Sequence, residues 1–412
     1  MSAFRTVPRT GVIHVMNEAA ARGFHYGHPD WANLGQGAPQ TDSLPGSPPR
    51  LTSIDVTASA HEYSPVAGLP ELRQAVADLY NARYRKGRKS QYTWRNVAIS
   101  SGGRAGLTRV AANLGPVHLG HMLLDYTAYQ QLLAVFRAFT PIPLVVREEH
   151  GHRVTTEQLR EQVLALGLGA LLMSNPCNPT GQVLMDDELD ALVGMSRELS
   201  CALILDEFYS HYLYADAPGR TVSAAEYVED VDEDPVVIVD GLTKNWRYPG
   251  FRLSWTLGPA DVIDGIAAAG SYLDGGPPHP MQMAALPLLD PAVAHAEAVA
   301  IQNVFAEKRT MMLQRLKAMG LDVVREPRGA FYCFARLSDL PEPLRDGMAF
   351  FRAALERQVI CVPGAFFDVD PGRRREHIPS RLREWVRLSY GPDLATVSTG
   401  LDRLEAMVAE HR

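Results

Sequence analysis

Short apolar runs alternate with stretches of helical period along most of the chain. Asn96-Val97-Ala98-Ile99-Ser100, His121-Met122-Leu123-Leu124, Ala170-Leu171-Leu172-Met173, Ala202-Leu203-Ile204-Leu205 and Val236-Val237-Ile238-Val239 are too short for helices and read as strands. Between and around them, apolar residues recurring every three or four positions predict helices over 70–85, 156–166 and 186–199. A further helix opens after Ser101-Gly102-Gly103-Arg104 and runs to about 113. Strand–helix alternation of this kind predicts an α/β fold, with a mostly parallel sheet flanked by helices on both faces.

The pattern changes past residue 290. A long helix over 291–319, a helix over 347–358 and short strands around Phe331-Tyr332-Cys333-Phe334 and Trp385-Val386-Arg387-Leu388 predict a smaller α+β domain. At the other end, one helical pattern over 12–21 precedes a Gly/Pro-rich passage, Leu34-Gly35-Gln36-Gly37-Ala38-Pro39, which reads as an arm or a linker. The expected organisation is an N-terminal arm with part of the small domain over 1–50, a large domain over 51–290 and a small C-terminal domain over 291–412.

Composition narrows the classes. A chain of 412 residues with 46% apolar and 21% charged positions has ample material for a large core. A net charge of −7 argues against a nucleic-acid partner. No window approaches the ~18 consecutive apolar residues of a membrane span. Four scattered cysteines, Cys177, Cys201, Cys333 and Cys361, with no C-x-x-C pair and no apolar leader, suggest reduced thiols and a cytoplasmic location. His118/His121 and His150/His152 lie in Gly-rich loops without a carboxylate or thiol set, so no metal site is expected.

The polar chemistry gathers just past the apolar runs. Lys244 follows the Val236-Val237-Ile238-Val239 run, and Pro249-Gly250 turns the chain so that Arg252 returns towards it. A lysine can condense with an aldehyde and an arginine can grip a phosphate, which together suggest pyridoxal 5'-phosphate. Ser101, Gly102, Gly103 and Arg104 form a small-residue turn at a helix start, a cradle for an anion. Asp206, ending its strand, suits the acid that keeps a pyridine nitrogen protonated, and such a pairing would lower its pKa. Tyr209 and Asn178 could reach the cofactor's phenolic oxygen, and Tyr126 offers an aromatic face to its ring. Arg387, charged within an apolar strand, suits a substrate carboxylate. Each alone has a plainer reading: a helix cap for Asp206, a turn for Asn178, core packing for Tyr126 and a structural ion pair for Arg387.

The order of the pieces is more specific than any one of them. Asn178-Pro179-Thr180-Gly181, Asp206-Glu207-Phe208-Tyr209, Thr243-Lys244, Pro249-Gly250-Phe251-Arg252-Leu253-Ser254 and Arg387-Leu388-Ser389 resemble, in sequence order, the motifs of fold-type I pyridoxal phosphate enzymes of the class I/II aminotransferase group. The resemblance spans about 30–400 and implies a seven-stranded, mostly parallel sheet in the large domain. It implies a homodimer with shared active sites, acting on an amino acid and a 2-oxo acid. Lys244 would be the catalytic lysine. Arg252, Thr243 and the 101–104 turn would bind phosphate, with Tyr63 reaching the neighbouring subunit's phosphate. Gly37 and Arg387 would meet the substrate carboxylate. A lyase, cyclase or oxidase using the same lysine is the alternative.

Two departures stand out. Gly241 occupies the position where the family commonly has a phosphate-binding serine, which leaves Arg104 as a candidate substitute. The stretch Ser271-Tyr272-Leu273-Asp274-Gly275-Gly276 lacks the arginine of dicarboxylate-specific members, and Asp274 would either receive a basic or hydroxylated side chain or cap its loop.

Overall fold

The computed structural model describes residue 4, residues 11–214 and residues 217–412; residues 1–3 and 5–10 of the expected arm lie outside them. Seven strands form the principal sheet: β1 (Val97–Ser100), β2 (His118–Met122), β3 (Thr140–Leu144), β4 (Leu168–Ser174), β5 (Ala202–Asp206), β6 (Val236–Gly241) and β7 (Ser254–Leu257). Their spatial order is β1-β7-β6-β5-β4-β2-β3. Every pairing is parallel except those of β7, which runs antiparallel to both β1 and β6. The α/β architecture with a mostly parallel seven-stranded sheet and a second, smaller α+β unit is as expected from the sequence.

The run 236–239 illustrates why both faces are apolar. Val237 and Val239 pack into one core cluster, and Val236 and Ile238 into the other. Side chains alternate across a strand, so a sheet covered by helices on both sides demands a continuous apolar run. The same alternation divides Ala170 and Leu172 from Leu171 and Met173, and Ile204 from Leu203 and Leu205.

The smaller unit carries β8 (Tyr332–Arg336), β9 (Val362–Pro363) and β10 (Trp385–Ser389), antiparallel in the order β9-β10-β8. Helices Gly347–Glu356 and Leu394–Glu410 accompany it. Helix Pro291–Met319 opens on Asp290, whose carboxylate accepts from the amides of Ala292 and Val293, and closes on left-handed Gly320. It packs against both Leu394–Glu410 and β8. The chain near the N-terminus joins the smaller unit, since Ala32–Asn33 pairs in parallel with Val359–Ile360.

Parallel strands have a functional consequence. The ends of β2, β4, β5 and β6 all point to one edge of the sheet, so the loops that follow them converge.

Candidate active site

Residues following those strand ends line a cavity of about 390 Å³, which β10 and the 36–38 turn complete from the other side. Gly37, Gly103, Arg104, Tyr126, Asn178, Asp206, Tyr209, Thr243, Lys244, Arg252 and Arg387 all contribute to its wall. Of the residues singled out in the sequence, Ser101, Gly102 and Tyr63 do not reach it. The Ser101 hydroxyl points to the Gly276 carbonyl at 3.5 Å. Gly102 lies behind Arg252: a Cβ there would sit 2.1 Å from the guanidinium, so only glycine admits the arginine so close. Tyr63 is 97% exposed on the surface of the subunit.

Lys244 Nζ donates to the Gly37 carbonyl. Burial, then the charges of Arg387, Arg252 and Arg104, bring its pKa down to about 7, with Asp206 opposing. Asp206 is buried; its Oδ2 accepts from the Tyr129 hydroxyl at 2.9 Å. Its pKa is pushed up to about 6 by burial, which the Tyr129 hydrogen bond and the Lys244 charge only partly offset. Desolvation is the larger effect here; the expected lowering was that of a pairing with a cationic ring nitrogen, which is a separate effect.

Arg387 is buried on β10, its guanidinium 4.2 Å from the centre of the Tyr332 ring. It donates to Asn178 Oδ1 at 2.7 Å and to the Gly35 carbonyl, both neutral acceptors. The structural ion pair that was its plainer reading is absent among the described residues. Asn178 spends its oxygen on that contact, so its NH2 is the group it can offer a ligand. The Asn178 amide is itself held by Ser174 Oγ at 3.1 Å, and Ser174 Oγ donates to buried Asp125.

Tyr209 packs its hydroxyl 2.7 Å from that of Tyr332. Arg104 donates to the Tyr126 hydroxyl from Nε at 3.2 Å and from Nη2 at 3.1 Å. Tyr129, Tyr332, Phe208 and Ser174 were not assigned roles from the sequence; the repeat of tyrosine three positions after Tyr126 was the only signal for Tyr129.

The two departures resolve differently. At Gly241 a Cβ would lie 2.5 Å from Ser254 Cα and 2.6 Å from the Leu253 carbonyl oxygen. Serine is excluded by the backbone of β7. Asp274 is already engaged: both its oxygens accept from Arg109, a guanidinium with no exposed surface, and Oδ1 also accepts from the Gly276 amide at 3.1 Å. The loop-capping role is what the structure holds.

The donors fit a phosphorylated, carboxylate-bearing ligand pair. Thr243 Oγ1 and Arg387 Nε are buried and have no hydrogen-bond partner among the described residues, and their residues line the same cavity as Lys244 and the glycine-backed Arg252. An amine of lowered basicity, a buried acid and several guanidinium groups at the open edge of this sheet are what a phosphorylated aldehyde cofactor and a carboxylate substrate would need, the chemistry of fold-type I pyridoxal phosphate-dependent enzymes.

The comparison with known proteins agrees and is more specific. The family model "Aminotransferase class I and II" matches residues 29–404, and the chain belongs to that family. It is similar to an aspartate aminotransferase of Pyrococcus abyssi, 24% identical over 388 residues that cover 94% of each chain. It is also similar to a probable aspartate/prephenate aminotransferase of Aquifex aeolicus, 26% identical over 355 residues, covering 85% of this chain and 84% of that one. The crystal structure of an aminotransferase from Mycobacterium tuberculosis matches with a TM-score of 0.79 at 25% identity, covering 100% of this chain and 99% of that one. The protein is a pyridoxal phosphate-dependent aminotransferase, moving an amino group between an amino acid and a 2-oxo acid. Elimination, cyclisation and oxidation are not favoured.

Proposed function

We propose that Lys244 is the amine that carries and releases the cofactor, and that the cavity around it performs the whole transfer. The observation that carries this reading is the buried Arg387 guanidinium, bonded only to neutral oxygens in the cavity that also holds Lys244. A buried cation without a counter-charge is costly, and a substrate carboxylate supplies one through two parallel hydrogen bonds.

When bound, pyridoxal 5'-phosphate supplies an aldehyde that condenses with amines and a ring that accepts electrons. The chain's own residues do the rest. Asp206, fixed by Tyr129, would hold a proton on the ring nitrogen. Asn178 and Tyr209 would serve the phenolic oxygen and Tyr126 the ring face. Thr243, Arg252, Arg104 and Gly103 would hold the phosphate, with Ser101 and Gly102 shaping the turn behind them, and Gly37 would join Arg387 at the substrate carboxylate. Lys244 Nζ, with a pKa near 7, takes a proton and returns it at neutral pH. Borohydride reduction followed by peptide mapping tests the assignment: label on Lys244 is expected, and label elsewhere would refute it. Product formation that requires a 2-oxo acid acceptor separates transfer from elimination.

We further propose a homodimer in which Tyr63 completes the neighbouring subunit's phosphate site. Its 97% exposure on the surface of the subunit supports this reading. Hybrid dimers of Tyr63→Ala and Lys244→Ala chains are expected to regain one working site in two; hybrids as inactive as the parents would count against it. The chain divides, in this proposal, at about residues 50 and 290. Four free cysteines, three of them buried, support a cytoplasmic location. No single described helix is long and apolar enough to cross a membrane.

A further inference from the structure

Behind the cavity wall, the segment that carries Lys244 is held by a buried polar cluster that contacts no ligand group. Consecutive residues His211 and Tyr212 grip the consecutive carbonyls of Asn245 and Lys244. The Tyr212 hydroxyl donates to the Lys244 carbonyl at 2.9 Å, and His211 Nδ1 lies 2.8 Å from the Asn245 carbonyl. The Asn245 side chain returns the contact by accepting from the His211 amide at 3.0 Å. Its NH2 donates to Ser210 Oγ, the Glu207 carbonyl and Asp240 Oδ1.

The protonation of His211 follows from its other neighbour. Arg83 Nη1 lies 2.9 Å from His211 Nε2. A guanidinium can only donate, so Nε2 must present its lone pair and the ring proton must sit on Nδ1. That proton is the one given to the Asn245 carbonyl. The ring is 1% exposed, and burial with the Arg83 charge hold its pKa well below the ordinary histidine range, so it stays neutral. The Asn245 carbonyl, which can only accept, selects the same tautomer, since a bare Nδ1 would set a lone pair against it.

We propose that His211 is a positioning residue for amino-group transfer: its Arg83-fixed Nδ1–H tautomer clamps the Asn245 carbonyl and thereby sets where Lys244 Nζ points. The proposal rests on the reading of Lys244 as the reacting amine. His211 touches neither substrate nor cofactor; it acts through the peptide that follows the lysine. A misplaced amine slows proton movement at Lys244 and leaves the Arg387 carboxylate site, reached from β10, as it was.

The test uses the holoenzyme. Nitrogen-15 NMR of histidine-labelled protein is expected to show His211 protonated at Nδ1 and bare at Nε2. His211→Leu removes the donor, and kcat per cofactor-loaded site is expected to fall about tenfold with KM for the amino acid within about twofold. His211→Asn, whose amide nitrogen can take the place of Nδ1, is expected to recover most of kcat, which a loss of packing alone would not permit. Should His211→Leu fail to fold, His211→Phe stands in as a variant that keeps a ring but lacks the donor, and the same fall in kcat is then expected. A ring protonated at Nε2 or at both nitrogens overturns the proposal. So does unchanged kcat in His211→Leu, or in His211→Phe where that variant stands in, or an asparagine variant no better than the variant without a donor. Turnover retained by Lys244→Ala would instead overturn the lysine assignment, and the tautomer measurement stands apart from that result.

Discussion

Replacing Tyr129 with phenylalanine removes one oxygen from a side chain with no exposed surface, and that oxygen is the donor 2.9 Å from Asp206 Oδ2. Ring volume is kept, so the perturbation is almost purely electrostatic. A hydrogen bond to a charged group contributes about 1.5–3 kcal/mol net. At about 1.4 kcal/mol per pKa unit, losing it raises Asp206 by about one to two units. Asp206 starts from about 6. It should therefore titrate at about 7–8 in the variant, and its ionised fraction at pH 7 should drop from about nine-tenths to about half or less. Carbon-13 NMR of aspartate-labelled, cofactor-free protein reads the titration directly. Asp206→Asn and Asp125→Asn assign the signals, since buried Asp125 also titrates at about 7. Stability supplies a second readout. A carboxyl whose pKa rises on folding loses stability as pH climbs from its unfolded to its folded value, so in the variant that loss should continue to a higher pH. An Asp206 titration within about half a unit of wild type would refute the reasoning.

Other changes probe the surrounding scaffold. Gly241→Ser installs the family's serine, yet its Cβ would lie 2.5 Å from Ser254 Cα. Thermal melting should report a loss of about 1–3 kcal/mol, and cofactor affinity should drop rather than improve. Asp274→Ala leaves the buried Arg109 guanidinium unpaired; about 3 kcal/mol of stability should be lost in denaturant titration, while relative rates across a panel of amino acids stay the same. For Lys244, the folded pKa lies below that of free lysine, so its reactive neutral form gains population as pH rises through about 7. Stopped-flow capture of the cofactor by cofactor-free protein should show that midpoint, and Arg387→Met should move it upward; a midpoint near 10 in the wild type would contradict the assigned environment.

What could be seen in the sequence, and what could not, follows from how far each residue's partner lies. The central parallel strands β4, β5 and β6 were legible because burial on both faces leaves nothing but apolar residues, as in β6. β7 was not: Ser254 and Thr256 are buried polar residues, and Ser254 Oγ pairs with Ser100 Oγ at 2.8 Å, so the strand lacks an apolar run. β3 escaped notice because Pro141 and Pro143 speak against a strand, and only its place at the sheet edge admits them. In the site, Lys244, Asp206, Arg252 and Arg387 announced themselves by charge next to apolar runs. Tyr129 and Tyr332 did not, since each hydroxyl finds its partner, on Asp206 and Tyr209, only through the fold. The upward push on Asp206 was not legible either, because its burial is a property of the assembled cavity and not of its strand.

The arrangement of charge suggests why holding a substrate and moving its proton are not independent tasks here. Arg387, Arg252 and Arg104 all depress the Lys244 pKa, and Asp206 alone among the causes named opposes them. An anion seated on Arg387 or Arg252 brings negative charge towards the same amine and cancels part of that depression. On the proposed assignment, Lys244 would therefore be a stronger base with a carboxylate in place than without one, with no moving part and only cations that serve two purposes. Arg387 is the sharper case: it is the first-named charge acting on Lys244, and its partners Asn178 and the Gly35 carbonyl are neutral, so a bound carboxylate meets no competing acid. Substituting it should damage both substrate affinity and the pH at which the lysine works, and the two effects should appear together.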